Sequence, residues 1–166
     1  MSTSKSPVSY PYLPVGQHFL YVSASDPFML AAKEYARAHS LDQVMPTGAV
    51  IVKDGQVIGA GANGSNYHDS NGCERVRQNI PTGEGYELCE GCHPRNHAEA
   101  KAVADARERG EDTTGAKLFL WGHWWACQSC WSVALDAGIS EIVLQDNSEV
   151  LFNKFHPNNI VGHQFD

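Results

Sequence analysis

Between Pro27 and Leu41, apolar and small residues recur at close to helical spacing, with Met29, Leu30, Ala32, Tyr35 and Ala36 marking one face. Ser25-Asp26-Pro27 supplies a cap and a proline at the first helical position, so this stretch predicts the first helix. From Thr47 the character changes. TGAVIV is small and β-branched, Asp54-Gly55 is a hairpin turn pair, and QVIGAGAN reads as the returning antiparallel strand. Further on, NHAEAKAVADARERG reads as a helix with Asn96 as a cap and Gly110 as its stop. AKLFLWG is a third strand, CQSCWSVALDAG a helix beginning at Cys127 and ending at Gly138, and SEIVLQ from Ser140 a fourth strand.

The two ends carry no sustained period. The stretch through about Ser23 is expected to be an extended arm, and the tail beyond Asp146 one helical turn around SEVLFNKF followed by irregular chain. Strands alternating with helices predict an α/β protein, a three-layer α/β/α sandwich on a mixed sheet of four strands. With no repeat or low-complexity linker, one domain is expected over 1–166, residues 1–24 being the arm and 145–166 the irregular tail.

Composition narrows the partners. A chain of 166 residues with 42% hydrophobic residues can bury a core without disulfide staples. Its net charge of -7 leaves no basic surface for a polyanion, so a small soluble substrate is expected and polynucleotide binding is not. No stretch stays apolar long enough to cross a bilayer and the start does not resemble a signal peptide, so the expectation is a cytoplasmic protein without membrane contact.

Chemistry enters through the cysteines. Four of the five form the CxxC pairs Cys89/Cys92 and Cys127/Cys130, with Cys73 left over, and in a reducing compartment such pairs are metal ligands or redox centres more often than disulfides. His97 and the pair Cys127/Cys130 stand at two predicted helix starts. One imidazole and two thiolates make three protein ligands, the number that a catalytic zinc uses when its fourth position stays open for water. Glu99, two residues from His97, can sit beside the metal without joining its ligands and relay protons. Helix N-termini also favour the thiolate form.

The segment from Gly64 to Pro94 is polar and too long for an idle connection. Cys73, Cys89 and Cys92 within it are expected to hold a second, structural zinc, with His68 preferred over His93 as fourth ligand. A reduced metal-free cluster or a Cys89/Cys92 redox pair is the alternative.

The H-x-E and C-x-x-C motifs, the hairpin TGAVIVKDGQVIGAGANG, and the segments HAEAKAV, KLFLWGHWWACQSC and AGISEIVL together resemble the cytidine/deoxycytidylate deaminase superfamily over about Asp26 to Leu144. The resemblance implies a cytidine deaminase-like fold, zinc on His97, Cys127 and Cys130, and Glu99 as the catalytic proton carrier. It also implies a homo-oligomer and a pyrimidine nucleotide substrate touched by Asn63, the backbone of Ala98 and the aromatic Trp125. The implied reaction is hydrolytic deamination of a cytosine nucleotide, dCMP to dUMP, with release of ammonia. One departure stands out: Ala126 replaces the proline that the family usually has before the first cysteine, after the bulky His123-Trp124-Trp125. Two other readings stay open, a deaminase of the same fold acting on another base or nucleoside (cytosine, cytidine, guanine or a tRNA base) and a non-catalytic zinc-stabilised binding module.

Overall fold

The computed structural model describes residues 12–80 and 85–166, and for His68 and Asp69 the backbone alone. The chain runs through β1 (Phe19–Val22), α1 (Pro27–His39), β2 (Gly48–Lys53), β3 (Gln56–Ala62), α2 (Tyr67–Asn71), α3 (Glu74–Arg77), α4 (Ala98–Glu108), β4 (Lys117–Trp121), α5 (Gln128–Asp136), β5 (Glu141–Gln145) and α6 (Ser148–Phe152). Short 3-10 turns cover Tyr86–Leu88 and Pro94–Asn96. The sheet order is β1-β5-β4-β2-β3, with β1, β5 and β4 parallel and β2 antiparallel to both of its neighbours.

Strand side chains alternate between two cores, as a period of two requires. Val50, Phe119, Trp121 and Val143 face α1, where Met29, Ala32 and Ala36 are buried. Ile51, Leu118, Leu120, Ile142 and Leu144 face α4 and α5, so the sandwich has three layers. Asp26 caps α1 by accepting from the N–H groups of Phe28 and Met29, and Pro27 follows at the first helical position.

Small residues let α4 lie directly on β3. A Cβ on Gly61 would stand 2.4 Å from both the Ala98 carbonyl oxygen and the Ala102 nitrogen, so only glycine permits this approach. Asp105 of α4 accepts from the backbone N–H of Ala60 at 2.9 Å, satisfying a donor on the open edge of β3. The start of α4, and with it His97 to Glu99, is thereby fixed against the sheet.

Three expectations need correction. The sheet has five strands, not four, because Phe19–Val22, expected within an extended arm outside the sheet, pairs in parallel with β5. Four residues are too few to display a period, and the pairing partner lies more than a hundred residues away. Residues 1–11 of that arm lie outside the described residues. Asn96 does not cap α4; it closes the Pro94–Asn96 turn, and His97 occupies the cap position without a capping side-chain bond. The Gly64–Pro94 segment, read as a polar connection, contains α2 and α3. No helix among the described residues is long and apolar enough to cross a membrane.

Candidate active site and metal centres

His97, immediately before α4, and Cys127, the N-cap of α5, are carried by neighbouring helix starts on one side of the sheet. The His97 Nδ1 lies 3.3 Å from the Cys130 Sγ and 3.5 Å from the Cys127 Sγ, and the two sulfurs are 3.1 Å apart. Tetrahedral zinc, with Zn–S of about 2.3 Å and Zn–N of about 2.0 Å, sets N···S separations near 3.5 Å and S···S separations near 3.8 Å. The donors therefore fit zinc, with the sulfurs needing to part by about 0.7 Å from their 3.1 Å separation.

The protonation pattern suits the same conclusion. The hydrogen bond with Cys130, opposed by burial and helped by His97, lowers the Cys127 thiol to about 5. Cys130, joined to Cys127 by that bond and itself buried, is raised far above the ordinary thiol value. Burial opposes the His97 imidazolium, but the bond to Cys127 and its charge outweigh it and raise the pKa. The cluster thus shares protons that a metal would release on binding. Glu99 is buried, its carboxyl raised above the ordinary range by that burial, and it hydrogen-bonds the Cys130 thiol.

A second group gathers in the insert. The sulfurs of Cys73, Cys89 and Cys92 lie within 4.8 Å of one another, separate from the first cluster. Cys73 and Cys92 are 3.6 Å apart, and the Arg75 Nη1 donates to the Cys92 sulfur at 3.5 Å. Burial raises the Cys92 thiol to about 12. The side chain of His68, the expected fourth ligand, lies outside the described residues.

The expected substrate contacts are placed less uniformly. Asn63 turns its amide inward: Oδ1 accepts from the Ser40 hydroxyl at 2.6 Å and the Thr47 N–H at 2.8 Å, while Nδ2 donates to the Met45 carbonyl at 2.8 Å. It ties the end of β3 to the loop before β2, leaving one N–H of Nδ2 for any ligand. Ala98 is the first residue of α4, where a backbone N–H has no intrahelical acceptor. Trp125 is only 5% exposed and packs in the core, whereas Trp124 is half-buried and lines a cavity of about 460 Å³ with Tyr12, Phe19, Tyr21 and Asn147.

Sequence reasoning noted His123 only as one of the bulky residues before Cys127 and gave it no role of its own. Its Nδ1 accepts from the backbone N–H groups of Trp124 at 2.9 Å and Trp125 at 3.2 Å, which leaves the ring proton on Nε2. Burial lowers its pKa to about 4, so it is a neutral imidazole at physiological pH. The signal was present as a histidine between β4 and α5, but nothing local distinguishes it from the aromatic residues that follow.

Several solved structures are similar to part of this chain. A diaminohydroxyphosphoribosylaminopyrimidine deaminase/5-amino-6-(5-phosphoribosylamino)uracil reductase of Thermotoga maritima is 28% identical, with 72% of this chain and 29% of that one covered and a TM-score of 0.45. The chain thus spans less than a third of that protein's length. The dCMP deaminase of the cyanophage S-TIM5 is 21% identical, with 73% and 82% covered and a TM-score of 0.48. A guanine deaminase from Bacillus subtilis is 23% identical, with 73% and 64% covered and a TM-score of 0.46. The sequence matches no curated protein. Residues 23–146, which contain both thiol clusters and Glu99, match the cytidine and deoxycytidylate deaminase zinc-binding region, and the chain belongs to that family.

Proposed function

We propose that the protein is a zinc-dependent hydrolytic deaminase of a cytosine nucleotide, converting dCMP to dUMP with release of ammonia. The observation that carries this reading is the buried carboxyl of Glu99 against the His97, Cys127 and Cys130 donors. A scaffold zinc has no use for such a group, whereas hydrolysis needs a proton carrier. Zinc on His97, Cys127 and Cys130 would act as a Lewis acid, making a hydrolytic water reactive near neutral pH.

Glu99 takes the proton of the attacking water and delivers it to the ring nitrogen beside the amino-bearing carbon. It then takes the second proton from the newly added hydroxyl and passes it to the departing amine, so that water and the amino group are exchanged for a carbonyl oxygen and ammonia. Burial, which favours the protonated carboxyl, makes Glu99 a readier acceptor of the water proton. His123 offers a neutral N–H donor on the loop before Cys127, and the Ala98 N–H offers another at the start of α4. Cytosine as the base rests on the family's own range, cytidine and deoxycytidylate. A second zinc, structural in role, is assigned to Cys73, Cys89 and Cys92.

Ammonia release measured over a panel of cytosine, cytidine, CMP, dCMP, guanine and adenosine tests the reading. It requires the highest kcat/KM on dCMP. Turnover of guanine or of free cytosine in preference would assign the same chemistry to another base, and no release from any member with zinc bound would favour the binding module.

A further inference from the structure

We propose that Glu74 is the fourth ligand of the second centre, which becomes a closed site of three cysteines and one carboxylate; this rests on the second zinc assigned above. Structural zinc is four-coordinate, and the three clustered thiols of Cys73, Cys89 and Cys92 leave one place to fill. Glu74 follows Cys73 directly and opens α3. Its Oε1 is held by the Tyr67 hydroxyl at 2.5 Å and by the Arg77 Nη2 at 3.1 Å. The second oxygen, Oε2, is buried and makes no hydrogen bond, which is costly for a carboxylate unless something else satisfies it.

The Cys89 thiol lies beside that carboxylate. A divalent ion held on the three sulfurs would satisfy the unpartnered Oε2 and take it as the fourth ligand. Charge supports the same composition: three thiolates and a carboxylate around a divalent ion leave two negative charges. Arg77 on Glu74 and Arg75 on Cys92 offset both.

Zinc content and thiol accessibility of the full chain test the assignment. Wild-type protein is expected to hold two zinc ions per chain, Glu74→Ala close to one, with Cys73, Cys89 and Cys92 newly reactive toward a thiol reagent, and His68→Ala two. Glu74→Gln, which keeps size and the Tyr67 contact, should weaken the second zinc about a hundredfold in chelator competition, so a folding defect in the alanine variant does not blur the result. Glu74→Cys should restore the second zinc and move the cadmium NMR resonance of that centre toward the all-thiolate position. Two tightly held zinc ions in both Glu74→Ala and Glu74→Gln, or loss of the second zinc in His68→Ala alone, would overturn Glu74 as ligand while leaving the second metal standing. One zinc per wild-type chain would overturn the second metal itself.

Discussion

The ring of Tyr86 meets the imidazole of His97 edge to face, with centroids 4.8 Å apart and planes at 87°. The Arg75 guanidinium lies 4.4 Å from the centroid of the same Tyr86 ring and reaches the Cys92 sulfur beyond it. A short chain of contacts thus runs from the second thiol cluster to His97 of the first group of donors. The Cys92 backbone also hydrogen-bonds His97. Metal-ligating histidines depend on such partners for their ring orientation.

Tyr86 is accordingly a positioning residue for His97. Tyr86→Leu should lower kcat about fivefold, in line with the roughly 1 kcal/mol of an aromatic pair, with KM little changed and the first zinc retained. Tyr86→Phe keeps the ring and should keep the rate. Equal losses in the two variants would show that the hydroxyl, not the edge-to-face contact, matters.

Glu99→Gln should fold, bind zinc at His97, Cys127 and Cys130, and lose at least about a hundredfold in kcat, since an amide of the same size cannot carry the proton. Steady-state kinetics beside metal analysis separate the two effects. A variant that turned over near the wild-type rate would remove Glu99 from the reaction.

Gly61→Ala places a methyl group 2.4 Å from backbone atoms of α4, which cannot yield as a flexible side chain would. Destabilisation of about 1–3 kcal/mol is expected, read as a fall in the denaturant midpoint. Because α4 carries His97 and Glu99, activity of the folded fraction should fall as well.

Asn63→Ala removes three hydrogen bonds that join Ser40, Met45 and Thr47. A stability loss of roughly 1–3 kcal/mol should accompany any rise in KM, because buried partners are left unsatisfied. A change in KM at unaltered thermal stability would instead place the amide in contact with substrate.

His123 is held neutral in the folded protein, with its pKa lowered to about 4 by burial. The unfolded chain, titrating near the ordinary value of about 6.5, binds more protons between these values, so this residue's contribution is complete above that range and is lost as pH falls through it. The thermal midpoint of wild-type protein should drop between pH 6.5 and 4 more steeply than that of His123→Asn, which has no titrating ring. Parallel profiles would remove His123 as a source of acid sensitivity.

What the sequence alone determined is what depends on near neighbours along the chain. The Asp26-Pro27 start of α1, the Asp54-Gly55 turn, with both residues at positive φ, and the small and β-branched run of β2 each follow from local sequence. The H-x-E and C-x-x-C motifs were legible for the same reason, since a helix start brings residues two or three apart to one end. The tertiary structure decided whatever required distant segments to meet. Phe19–Val22 becomes a strand only because β5 offers an edge, and Asn63 spends its amide on Ser40 and Thr47 because the loop before β2 folds back over it. Glu74 reads in sequence as one more surface acid; its buried oxygen beside Cys89 exists only after the insert has closed on itself.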